Sequence, residues 1–191
     1  MKLSTKRIDI VPLNLQEMKI LIESRREYEQ HANLAISGIE VPGVYREEIK
    51  ELMEREPQCW TSKNKEYIFH TLWLMISREQ KRIVGQFYIN GRPNEQGEVE
   101  IFFEIESPFR RKGIATEVML TILEWGCKTK SFRKVLIEAD EHNKAAMASL
   151  HKLKFRRMPD DEDGNVSTKF YKVVYSEDPC IDDLEVDPIK E

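Results

Sequence analysis

Residues 99–115 read VEIFFEIESPFRRKGIA, and the chain changes character in the middle of them. The first half carries the branched and aromatic residues of a β-strand. After Gly113 the apolar residues Ile114, Ala115, Val118, Met119, Ile122 and Leu123 follow helical spacing. Between strand and helix lie Arg110, Arg111, Lys112 and Gly113. A helix beginning there leaves its first backbone N–H groups without partners, all pointing at one spot. The helix dipole adds partial positive charge at that spot, and the three basic residues add formal charge. Gly113 has no Cβ, so a bulky anion can approach its backbone closely. The expected ligand is a phosphate or diphosphate. Two familiar phosphate motifs do not fit: Lys112-Gly113-Ile114 is not Gly-Lys-Ser/Thr, and one glycine is not the three of a dinucleotide fingerprint. The plain alternative is a solvated basic helix start.

Working outward, residues 135–139 (VLIEA) predict a short strand. Residues 143–153 predict a helix with Ala146, Met147, Leu150 and Leu153 on one face and Asn143 as its cap. Residues 160–165 (DDEDGN) predict a polar turn and 168–175 a last strand. Upstream, strands are expected over 72–77, 82–90 and 98–105, joined by the turns 78–81 and 91–97. Residues 7–13 (RIDIVPL) alternate as a first strand. Asn14 and Glu17 then form a capping-box pair opening a helix expected to run to about His31, and residues 45–55 predict a second helix ended by Pro57. This order gives an α+β fold with a central mixed, mostly antiparallel sheet flanked by helices. The expected organisation is one domain over residues 1–175 and an acidic tail over 176–191.

Composition narrows the classes. The net charge is only −4, because 30 Lys and Arg nearly balance 34 Asp and Glu, so a duplex nucleic acid is not an expected partner. Cys59, Cys127 and Cys180 are widely spaced and odd in number, which points to neither a disulfide framework nor a zinc site. His31, His70 and His142 show no ligand spacing, so no metal is expected. Residues 1–12 lack the apolar run of a secretion signal, and the stretch 67–76 is far short of the roughly 18 apolar residues of a membrane span. A cytoplasmic protein without a membrane partner is the expectation, monomer or homodimer.

The segment Arg110-Arg111-Lys112-Gly113-Ile114-Ala115 resembles the Arg/Gln-x-x-Gly-x-Gly/Ala signature of the GNAT superfamily of N-acetyltransferases. Val99-Glu100-Ile101 before it and Ala115-Thr116-Glu117 after it resemble the branch of the ribosomal-protein N-terminal (RimJ/RimL-like) acetyltransferases. So do the opening Thr5-Lys6-Arg7-Ile8, the stretch 73–85, and the later Trp125, Asn143, Ala146 and 150–155. The resemblance covers the chain to about Tyr175. It implies an acyl-CoA N-acyltransferase fold with a V-shaped splay between strands 98–105 and 135–139. It implies acetyl-CoA as cosubstrate and an amine as acceptor, either a protein N-terminus or a small molecule. Backbone N–H groups of Arg111, Lys112, Gly113, Ile114, Ala115 and Thr116, beside Arg110, would hold the diphosphate. Phe103 and Ile105 would pair with the pantetheine arm and polarise the thioester carbonyl. Asn143 would touch the coenzyme arm while capping its helix.

A lysine-like ammonium, with a pKa near ~10.4, must lose a proton before it attacks. Glu100 and Glu104 share one strand face beside the expected coenzyme and are the base candidates; ordinary sheet-surface carboxylates are the alternative. The leaving thiolate needs a proton. Many relatives use a Tyr where this sequence has Leu150, and Lys154 stands for the usual Gly. Tyr171, Tyr175 or water is then the expected donor. His151 is one residue from Leu150, a turn of about 100° away on a helix. An active N-acetyltransferase is the leading expectation. A coenzyme-A-binding module with little catalysis, acting as a sensor or partner protein, is the alternative.

Overall fold

The computed structural model describes residues 1–39, 41, 43–55, 57–61, 66–159 and 168–175. The polar turn expected at 160–165 and the acidic tail expected over 176–191 lie outside the described residues. Strands β1 (Leu3–Ser4) and β2 (Ile8–Pro12) open the chain. Helices α1 (Leu15–Glu23), α2 (Arg25–His31) and α3 (Gly43–Arg55) follow. Next come β3 (Leu72–Ser77), β4 (Arg82–Ile89), β5 (Glu98–Ile105) and α4 (Ile114–Thr129). The chain closes with β6 (Lys134–Ala139), α5 (Lys144–Lys152), β7 (Arg156–Arg157) and β8 (Thr168–Val173). Short 3-10 turns sit at Pro57–Trp60, Glu66–Phe69 and Ser107–Phe109.

Among the described residues the strands form one sheet in the order β1-β2-β3-β4-β5-β6-β8-β7. Neighbours are antiparallel except β5 and β6, which run parallel. Their pairing is short: Glu98, Val99 and Glu100 face Lys134, Val135 and Leu136, and there it ends. Beyond that point β5 continues to Ile105, paired only with β4, where Ile105 lies opposite Gly85. This is the splay that the family resemblance implies between 98–105 and 135–139.

Strand alternation sends side chains to two cores. On one side Trp73, Met75, Phe87, Val99 and Ile101 pack against Val118, Met119 and Ile122 of α4. On the other, Leu72, Leu74 and Ile83 pack against Met18 and Leu21 of α1, Tyr28 of α2, and Ile49 and Leu52 of α3. Fully buried side chains of this kind contribute roughly 1.5–3 kcal/mol each before entropy is counted. Trp73 and Trp125 belong to the first core, with ring centroids 5.7 Å apart.

One expectation is corrected. The helix starting at Asn14 has its capping box, but it does not run unbroken to His31. Ser24 is extended (φ −155°, ψ 112°), ends α1 by donating its N–H to Ile20, and caps α2 through its hydroxyl. A serine competes well for this double role because its hydroxyl reaches its own neighbours' N–H groups. The break turns Arg25 inward. Its guanidinium meets Glu29 at 2.9 Å and Glu106 at 2.6 Å, and Glu29 also accepts the Ser37 N–H at 2.8 Å. One buried cation thus joins α2 to the end of β5. The strands β1 and β7, two residues each, have no periodicity to announce them.

Candidate active site

The slot begins where β5 loses β6. In an antiparallel pair, successive residues turn their N–H and C=O alternately toward and away from the partner. Glu100 and Glu106 are turned toward β4: Asn90 donates to the Glu100 carbonyl at 2.9 Å, and the Glu106 N–H donates to Val84 at 3.0 Å. The alternation therefore aims the backbone polar groups of Phe103 and Ile105 away from β4, at the side β6 has left. Arg110 already uses one of them, donating from Nε to the Ile105 carbonyl at 2.8 Å. The Phe103 ring is fixed by stacking on Phe87, centroids 5.9 Å apart. Gly85 makes this edge possible, because a Cβ there would lie 2.5 Å from the Glu104 carbonyl oxygen.

The loop from β5 to α4 follows. Phe109 is buried and anchors it. Arg111 (φ 62°) and Gly113 (φ 74°) are both left-handed, a conformation in which successive N–H groups turn to a common side. The first hydrogen bond of α4 runs from the Glu117 N–H to the Gly113 carbonyl at 3.0 Å. The N–H groups of Ile114, Ala115 and Thr116 come before it, and Gly113 supplies no side-chain cap. Among the described residues no acceptor faces the N–H groups of Arg111, Lys112, Gly113, Ile114, Ala115 or Thr116. The cluster is a row of bare donors at a helix N-terminus, suited to several anionic oxygens at once.

The three basic side chains differ. Arg110 folds back toward the strand, its guanidinium 4.0 Å from Glu104. Lys112 lies over the Phe109 ring at 5.2 Å. Arg111 is exposed. Arg7, from the far side of the sheet order, reaches the loop and pairs with Glu117. Burial alone would raise the Glu117 carboxyl, but hydrogen bonds from Thr5 and Arg7 and the Arg7 charge outweigh it and hold it below the ordinary carboxylate range. The sequence reading found the segments around these two residues and missed their partnership.

Glu100 and Glu104 stand on the sheet face opposite α4 but in unlike surroundings. Glu100 accepts from the Asn90 amide at 3.1 Å, and Asn90 is itself held by Arg55 at the end of α3. Glu104 has a long bond from Gln86 at 3.4 Å, and its side chain is 38% exposed. Tyr171 is in register with Leu136, and Leu136 with Glu100, so all three share one row across β5, β6 and β8. That row puts the Tyr171 and Glu100 Cα atoms roughly 10 Å apart, and Glu104 about 13 Å further along β5. The Tyr171 ring has the Lys134 ammonium over it at 5.5 Å, and Lys134 in turn bridges to Glu98. Asn143 caps α5, its side chain accepting from the Ala146 N–H at 3.1 Å. Leu150 is buried in the core, and His151 is exposed. No helix among the described residues is long and apolar enough to cross a membrane.

Residues 7–156 match the acetyltransferase (GNAT) domain family. The uncharacterized N-acetyltransferase YjdG of Bacillus subtilis (strain 168) is 26% identical over 83 residues, 44% of this chain and 49% of that protein. The match thus spans about half the length of that curated relative. Among solved structures, the ribosomal-protein-S5-alanine acetyltransferase of Vibrio fischeri is similar with a TM-score of 0.64 at 10% identity, covering 94% of this chain and 100% of that one. RimL, the ribosomal L7/L12 alpha-N-protein acetyltransferase solved in complex with coenzyme A, gives 0.61 at 10% identity, covering 91% and 98%. At such identities the likeness is one of fold.

Proposed function

The chain belongs to the GNAT acetyltransferase family and has its fold, and from that premise we propose that it moves the acetyl group of acetyl-CoA directly onto an amine. The observation that carries this reading is the row of unpartnered N–H groups at Ile114, Ala115 and Thr116, after a loop that Arg110 ties to the Ile105 carbonyl at the end of β5. A diphosphate seated there would let the pantetheine arm run along β5. The backbone groups of Phe103 and the Ile105 N–H would hold the arm, the Ile105 carbonyl being already engaged by Arg110, and one N–H would face the thioester oxygen, where negative charge develops.

The acceptor approaches from the face carrying Glu104. Its ammonium gives a proton to a carboxylate, directly or through water, and the freed nitrogen attacks the thioester carbon. The C–S bond breaks as the tetrahedral adduct collapses, and the thiolate takes up a proton. Glu104 suits the base role better than Glu100, because it is exposed and loosely held whereas Glu100 is tied through Asn90 to Arg55. By the register above Tyr171 sits with Glu100, roughly 16 Å from Glu104 and too far to serve the same thioester, so water is the proposed proton donor to sulfur. The structural relatives include acetyltransferases of ribosomal-protein N-termini, so an N-terminal peptide is the first acceptor class to test and a small-molecule amine the second.

The test is incubation with acetyl-CoA and a panel of peptides and amines, following release of free thiol. Turnover on at least one acceptor is expected. Tight coenzyme binding without turnover on any of them would instead favour a coenzyme-binding module, a role consistent with Leu150 filling the position of the usual acid.

A further inference from the structure

Residues 111 and 112 are held by little of their own. Among the described residues, the Lys112 carbonyl is their one backbone group that carries a hydrogen bond, accepted at 3.1 Å from Nη2 of Arg7. Arg7 is in turn fixed by Glu117, one helical turn past Gly113. Its Nε donates to Oε2 at 2.8 Å, Nη2 donates to the same oxygen, and its backbone N–H donates to Oε1 at 3.3 Å. Thr5 completes the turn by accepting the Arg7 and Ile8 N–H groups at 3.1 and 2.8 Å. The guanidinium thus bridges the loop and the first turn of α4.

The geometry of the peptide bond gives this bridge a function. Across a trans peptide the C=O and the next N–H point in opposite directions. Pinning the Lys112 carbonyl to Arg7 therefore turns the Gly113 N–H the other way, to the side on which the loop donors gather. Without that pin, no backbone hydrogen bond of residues 111 and 112 is left among the described residues to hold the left-handed conformation of Arg111.

We propose that Arg7, held by Glu117, is a positioning residue that presets the loop for the coenzyme diphosphate. The inference rests on the coenzyme reading above and adds to it how the free loop keeps its shape. It differs from a simple charge effect, because the Arg7 and Glu117 charges cancel.

Glu117→Ala separates the two. It removes a negative charge beside the anion site, so a charge effect makes coenzyme A bind more tightly, whereas loss of positioning makes it bind more weakly. Calorimetry with coenzyme A is expected to show about tenfold weaker binding for Arg7→Gln and a several-fold loss for Glu117→Ala, with Arg7→Lys between wild type and Arg7→Gln. In the free proteins, amide exchange at residue 117, whose N–H closes the first bond of α4 onto the Gly113 carbonyl at 3.0 Å, is expected to speed up in both Arg7→Gln and Glu117→Ala while the core amides of α4 keep wild-type protection. Tighter binding by Glu117→Ala, or unchanged binding and exchange in both variants, overturns the inference. A wild-type chain that binds no coenzyme A overturns the functional reading and this inference with it; wild-type binding with unaffected variants overturns this inference alone.

Discussion

Replacing Gly113 tests the proposed diphosphate site most directly, because two substitutions there separate backbone from charge. A Cβ at Gly113 would have Arg7 Nη2 as its nearest neighbour, at 3.9 Å, an ordinary contact. Gly113→Ala therefore adds no clash. Its cost is the left-handed backbone at φ 74°, about 1–2 kcal/mol for an alanine. That lowers the melting temperature by roughly 2–8 °C for a domain of this size. If the free loop escapes the strain by moving, coenzyme affinity falls by up to about tenfold. Gly113→Glu adds a carboxylate. Taken at roughly 6 Å from a diphosphate bearing two charges, the repulsion is about 1.4 kcal/mol in a water-like medium and about 5.5 kcal/mol at an effective dielectric of 20. The glutamate variant should thus lose at least about tenfold more affinity than the alanine variant while melting within a few degrees of it. Isothermal calorimetry with coenzyme A, beside thermal melts of the three proteins, measures both. A glutamate variant that binds within twofold of wild type would show that the diphosphate sits elsewhere.

Three further outcomes are expected. Glu104→Gln should lower turnover by roughly 10²-fold or more with near-normal coenzyme affinity; wild-type turnover removes Glu104 from the mechanism. Arg25→Met leaves the buried Glu29 and the partly buried Glu106 without their shared cation, so chemical denaturation should show a loss of about 3–5 kcal/mol. The Arg7–Glu117 pair should stabilise the fold in a pH-dependent way. Because the folded Glu117 carboxyl lies below its ordinary value of 4.5, the contribution is present above that value and is lost as pH falls through the folded one. The stability gap between wild type and Arg7→Gln should therefore begin to close as the pH falls below 4.5; a gap that does not change on acidification contradicts the assignment.

Much of the candidate site's local structure was legible in the order of residues because its parts are neighbours. Strand, basic turn, glycine and amphipathic helix are neighbours in the chain, and each follows from spacing or from the freedom of one glycine at φ 74°. The Asn14–Glu17 capping box is equally local and was found as expected. The break at Ser24 was not legible: a serine between two helical stretches is compatible with a continuous helix until Arg25 has something to turn toward. That something is Glu106, 81 residues later.

The sequence by itself determined the kinds of element, their order, the glycine before α4 and the family to which the chain belongs, since these depend on side-chain periodicity and on contacts a few residues apart. Only the tertiary structure decided that β5 and β6 part after Glu100 and Leu136, that Arg110 reaches back to the Ile105 carbonyl and Lys112 over the Phe109 ring, and that Arg7 clasps Glu117 across 110 positions. A charged side chain takes the partner nearest in space, and chain separation carries no information about that until the sheet has formed.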